Sequence, residues 1–115
     1  MSLFPPPSRL DTQVYVDVVA NLGLKPRTSP WSERAGLGGR HSFLEGPVFD
    51  RDGNLYVVDA PFGRILRIRP DRNVEVAAEY DGTPNGLALH RDGDIFIADR
   101  VNGIMRLDPV SGRVE

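Results

Sequence analysis

With 115 residues, of which 40% are hydrophobic and 26% charged, the chain has the size and make-up of one ordinary globular domain. Its net charge of −2, with no segment dominated by one sign, gives no footing for a nucleic-acid or membrane-surface partner. The lack of cysteine excludes disulfides, thiolate nucleophiles and zinc–sulfur sites. Met1 to Pro7 lacks the apolar core of a secretory signal and no run approaches the roughly 20 apolar residues of a membrane span, so a soluble, cytoplasmic protein is expected.

Residues 1–12 contain Pro5-Pro6-Pro7, which cannot donate ladder hydrogen bonds, and read as a loose arm. Gln13 to Ala20 places Val14, Val16 and Val18 on one face, the pattern of a strand. Asn21 to Phe43 carries Pro26, Pro30, four glycines and the single tryptophan, Trp31, and reads as a long loop with a helical turn near Ser32 to Ala35. Residues 13–44 thus form one unit, a strand plus a loop, and 45–115 another.

From Gly46 onward the chain repeats itself. Gly46, Arg51-Asp52-Gly53 and Asp59 correspond to Gly86, Arg91-Asp92-Gly93 and Asp99 at a spacing of 40, while Ile65, Arg67 and Pro70 correspond to Ile104, Arg106 and Pro109 at 39. Short β-type runs recurring near every 40 residues mark propeller blades. The first blade is expected to run Gly46–Phe49, Asn54–Asp59, Arg64–Arg69 and Asn73–Tyr80, with a glycine turn at Arg51-Asp52-Gly53. The second is expected to run Gly86–His90, Asp94–Asp99 and Gly103–Leu107, with its fourth strand reduced to Arg113-Val114-Glu115. A ring needs at least about four blades, so the chain is expected to be the N-terminal piece of a longer all-β propeller, about two four-stranded antiparallel blades of a six-bladed ring. In that ring Gln13 to Ala20 would close the last blade by covering its edge.

The inner strands of all blades converge on the channel, and here they open with Glu45 and Asn85. A carboxylate and an amide, both oxygen donors, suit a hard divalent cation such as calcium. Pro84-Asn85-Gly86 is also a sound turn in its own right, whereas Glu45 has no basic partner near it in sequence. Asp59 and Asp99 end the second strands and are expected to accept backbone N–H bonds in the turns that follow. Arg64, Arg67 and Arg69 are expected on a solvated face, His90 in solvent, and Trp31 in a core.

Leu44-Glu45-Gly46-Pro47-Val48-Phe49 followed by Gly53-Asn54-Leu55-Tyr56-Val57-Val58-Asp59 resembles the opening blade of the gluconolactonase/regucalcin (senescence marker protein) family. The resemblance covers Glu45 to about Pro109 and the strand before it. It implies a six-bladed propeller that hydrolyses a small-molecule lactone or related ester with a divalent metal on the axis, calcium first and zinc, manganese or magnesium as alternatives. It assigns Glu45 as a metal ligand and Asn85 as a metal or substrate contact, although Pro84-Asn85-Gly86-Leu87 stands where many relatives have Asn-Asp-Gly. The family's further ligands and its base lie in blades beyond Glu115, so the catalytic residue is unassigned and this piece alone is expected to be inactive. Two other arrangements fit the repeat: a non-catalytic binding module of the NHL type, and a ring of three self-assembled two-blade copies, against which the long N-terminal loop speaks. An unpartnered Glu45 at the axis separates the enzyme from the binding module, since a scaffold gains nothing from desolvating it.

Overall fold

The computed structural model describes residues 3–115, so the first two residues of the expected arm lie outside it; the rest of the arm is exposed and free of helix and strand. Seven strands form two antiparallel sheets. The first sheet orders β1 (Leu44–Phe49), β2 (Leu55–Asp59), β3 (Arg64–Ile68) and β4 (Val74–Glu79) side by side, and the second orders β5 (Pro84–Leu89), β6 (Ile95–Asp99) and β7 (Gly103–Leu107). The all-β, blade-by-blade organisation read from the repeat is therefore present, with each strand within two residues of its expected position. In place of a fourth strand in the second sheet there is a single bridge, Leu107 to Val114, held by paired Arg106 and Glu115 backbone hydrogen bonds.

The two sheets lie face to face. Tyr56, Val58, Ile65 and Ala78 of the first sheet pack on Ile95, Ile97 and Leu107 of the second, and Tyr56, Ile65 and Ile95 are at most 1% exposed. Burial of each such aliphatic or aromatic side chain is worth about 1.5–3 kcal/mol. Strand β2 is buried on both faces, because its other side, Val57, joins Leu66, Ile68 and Val74 in a second cluster. That explains why Leu55 to Val58 is a continuous apolar run rather than an alternation.

What covers this second cluster is the N-terminal segment, in a form the sequence pattern did not anticipate. Gln13 to Ala20 is not a strand: residues 13–17 have no regular structure, and α1 (Val18–Leu22) is a short helix. Asp17 caps it, its carboxylate accepting the Ala20 N–H at 3.0 Å, and Gly23 ends it in the left-handed region at φ 60°. A local cap of this kind offers the backbone an alternative to a ladder. The valines then serve a different surface, with Val18 buried and Val16, Leu22 and Leu24 beside it over Val57, Leu66, Ile68 and Val74. The anticipated helical turn in the loop is α2 (Pro30–Arg34), started by a Ser29–Ser32 capping box. Among the described residues no helix is long and apolar enough to cross a membrane.

Candidate functional site

Both inner strands begin with an irregularity. In β1 the pairing with β2 runs Leu44 to Asp59 and Glu45 to Val58, then skips to Val48 and Tyr56. In β5 it runs Pro84 to Asp99 and then Gly86 to Ala98, leaving Asn85 outside the ladder. Bulges of this kind bend a strand and re-aim the side chains around them. Gly46 makes the first one possible: its φ is 58°, and a Cβ there would fall 2.6 Å from the Asn85 carbonyl oxygen. Only glycine allows both the conformation and the approach of the two inner strands.

That approach brings the two expected site residues together. Asn85 Nδ2 donates to Glu45 Oε2 at 3.1 Å, across 40 residues of sequence and from one sheet to the other. Glu45 is half-buried and Asn85 exposed. No cationic side chain pairs with Glu45 among the described residues; its one side-chain hydrogen bond is with this amide. A carboxylate that keeps free lone pairs beside a primary amide is a donor set of the oxygen type that hard cations take. The Asn85 amide, turned about its terminal torsion, presents Oδ1 in place of Nδ2. The pair supplies two of the roughly six to eight oxygens calcium uses, and among the described residues no group of three or more His, Cys, Asp or Glu gathers around it.

The surroundings of the pair are built from conserved geometry within the repeat rather than from conserved residue types. Asp59, fully buried, accepts the Phe43 N–H on Oδ1 at 2.8 Å and both Nε and Nη2 of Arg64 on Oδ2, at 2.9 and 2.6 Å. Arg64 Nη2 also donates to the His41 carbonyl at 3.3 Å. This corrects two expectations. Arg64 is not solvated but 7% exposed, because it lies directly opposite Asp59 in the β2–β3 register. Asp59 serves the start of β1, not the turn that follows it. Burial pushes the Asp59 carboxyl above its ordinary pKa, against the pull of the Phe43 N–H and of Arg64.

Asp99, the equivalent residue, does bond its own turn, accepting the Val101 and Asn102 N–H groups at 2.8 Å each and the Tyr80 hydroxyl at 2.8 Å. Burial alone would raise its pKa; the Asn102 N–H, the Tyr80 hydroxyl and the Val101 and Thr83 N–H groups outweigh that and hold it below the ordinary value. The same burial, with Asp99 alongside, drives the Tyr80 phenol well above its usual pKa. Of the other expected candidates, Arg67 and Arg69 both engage Glu75, and His90 pairs with Asp92 in solvent at 2.8 Å. His41 comes to the site through its carbonyl, not its ring.

At the same ends of the strands a cavity of ≈ 360 Å³, lined by neither Glu45 nor Asn85, opens between the β4–β5 connection, Pro61-Phe62 and the loop of Arg27 to Trp31. Trp31, expected in a core, is instead half-buried and packs on Phe43 with ring centroids 5.2 Å apart. The guanidinium groups of Arg27 and Arg64 both lie over the Phe62 ring, 4.2 and 4.9 Å from its centroid. A larger groove of ≈ 630 Å³ lies at the other end of the sheets, among the Asp50–Asn54 and Asp92–Asp94 turns, away from Glu45 and Asn85.

Comparison with known proteins gives the same direction. The chain is 30% identical over 86 residues to lactonase drp35 of Staphylococcus aureus (strain USA300), an alignment covering 71% of this chain and 25% of that protein. It is 31% identical over 86 residues to lactonase drp35 of Staphylococcus saprophyticus, covering 69% and 26%. At family level the likeness is to lactonases. The chain spans about a quarter of the length of the curated relatives it matches. No family model matches.

Proposed function

We propose that this chain forms the first two blades of a divalent-metal-dependent hydrolase of the lactonase type, acting on a small lactone or related ester, with Glu45 and Asn85 among the ligands of a calcium-class cation. The observation that carries this reading is the 3.1 Å contact between Glu45 and Asn85, residues that open the inner strands of successive blades and meet nowhere near each other in sequence. The lactonase relatives support the reaction class.

When bound, the cation would supply Lewis-acid polarisation of the ester carbonyl and a lowered pKa for an attacking water. The chain's own residues do the rest of what can be assigned here. Glu45 brings a carboxylate that no cationic side chain pairs with among the described residues, so its lone pairs remain available. Asn85 offers a neutral oxygen donor, so the pair brings one carboxylate and one amide toward the cation.

The test is lactone hydrolysis by the full-length protein. Chelation should abolish turnover and calcium restore it, while Glu45→Gln should lower turnover by about a hundredfold, since even partners behind the metal ligands cost 10–100-fold. Unchanged turnover in Glu45→Gln would remove Glu45 from the metal and with it the reading.

A further inference from the structure

Two residues ahead of Glu45 and two ahead of Asn85, the backbone is fixed in the same way by different chemistry. The Phe43 carbonyl accepts the Ala60 N–H at 3.2 Å and the Thr83 carbonyl accepts the Arg100 N–H at 2.9 Å. The Phe43 N–H is taken by Asp59, and the Thr83 N–H acts on Asp99. One step further back, the His41 carbonyl is held by Arg64 Nη2 at 3.3 Å. Its repeat equivalent, the Asp81 carbonyl, is held by Asn102 Nδ2 at 2.8 Å. Positions 41 and 43 and positions 81 and 83 are thus pinned through matching backbone atoms, by an arginine in one blade and an asparagine in the other.

We propose that Asp59–Arg64 and Asp99–Asn102 are positioning pairs whose task is to set where Glu45 and Asn85 meet. Stability alone does not require a side chain to reach either carbonyl, because both lie at the surface end of the sheets, where water can satisfy them. A bulged strand start, in contrast, lacks the regular ladder that would otherwise fix the next side chain, since β1 skips a register at Gly46 and β5 skips Asn85 itself. The clamp replaces the missing ladder constraint at a place where two side chains from separate sheets must come within hydrogen-bond range. Arg64 suits the buried position because its planar fork reaches Asp59 twice and His41 once. At the exposed position a neutral amide is enough.

The inference rests on the cation reading only for its affinity arm; its geometric arm stands without metal. In the full chain, Asp59→Leu/Arg64→Met removes both buried charges together, which is far less disruptive than removing one, and deletes the acceptor for Phe43. Asp59→Asn/Arg64→Met keeps an Oδ1 for that N–H. In the Leu/Met variant the Asn85 side-chain amide resonances should move toward those of free asparagine and calcium affinity should fall by about tenfold. The Asn/Met variant keeps the Phe43 bond but not the hold on His41, so it should recover only part of each change. If the Leu/Met protein does not fold, Asn102→Ala answers the same question at an exposed site, with a shift of the Asn85 amide and an affinity loss of about threefold. Unmoved Asn85 resonances and unchanged calcium affinity in a folded clamp variant would overturn the proposal. A Glu45→Gln control separates the two ideas: if that substitution leaves calcium affinity unchanged, the cation reading fails, and the clamp is judged on the Asn85 resonances alone.

Discussion

Tyr56, Val58 and Ile65 in the first sheet correspond through the repeat to Phe96, Ala98 and Ile104 in the second. The first three are 1%, 0% and 0% exposed; Phe96 is 37% and Ile104 73% exposed. The residue types are those of one face, yet only one copy of the face is a core. In a stacked array a sheet's surface becomes interior only when the next sheet lies on it, and Ile95, Ile97 and Leu107 provide that for the first sheet alone. Repetition therefore dictates which side chains a blade presents, and the neighbour decides what they are worth.

The largest effect should come from that contrast. Ile65→Ala should cost about 2–5 kcal/mol in urea denaturation, whereas Ile104→Ala in the same chain should stay within about 0.5 kcal/mol. Equal costs would mean that the second sheet's face is also covered in solution. A smaller difference is expected at the two glycines that open the inner strands. Gly46→Ala forces a left-handed residue and a contact 2.6 Å from the Asn85 oxygen, a strain of about 1–3 kcal/mol, and should also separate Glu45 from Asn85. At Gly86 an added Cβ meets nothing nearer than the Ala98 methyl at 4.0 Å. Thermal melting of Gly86→Ala should therefore differ from wild type by no more than about 1 kcal/mol.

The smallest effect is one of pH. Asp99 is held below its ordinary value of 3.8 in the folded chain, so the unfolded chain binds its proton first on acidification. Its stabilisation is present above pH 3.8 and is lost as pH falls through the lower folded value. Asp99→Asn should flatten the dependence of melting temperature on pH below about 4. The equivalent Asp59, raised by burial, works with the opposite sign: its contribution declines as pH rises from 3.8 through its folded value. A steep acid limb that survives in Asp99→Asn would assign the acid sensitivity elsewhere.

The repeat made the sheets legible because period, turn glycines and apolar runs all agreed on the same strands. It also made Glu45 and Asn85 legible as a pair, since equal offsets in a radial array put equal positions side by side. The N-terminal segment was not legible: Val14, Val16 and Val18 alternate as a strand would, but the Asp17 cap and the open cluster around Leu66 favour a helical turn. Arg64 was misread for a related reason. Of its neighbours, Arg69 is exposed and Arg67, also expected in solvent, is half-buried against Glu75, Tyr56 and Pro109, while Arg64 faces Asp59 across the hairpin, a pairing that depends on register and not on composition. The clamp on His41 and Asp81 was hidden because its donors, Arg64 and Asn102, share neither residue type nor place in the repeat; only the carbonyls they hold are 40 residues apart.

The most direct test is where a cation binds. In a crystal of the full-length protein grown with manganese, anomalous difference density should show one ion bound by the Glu45 carboxylate, with the Asn85 amide turned so that its oxygen faces the metal. Density elsewhere, with the Asn85 Nδ2 still donating to Glu45, would contradict it.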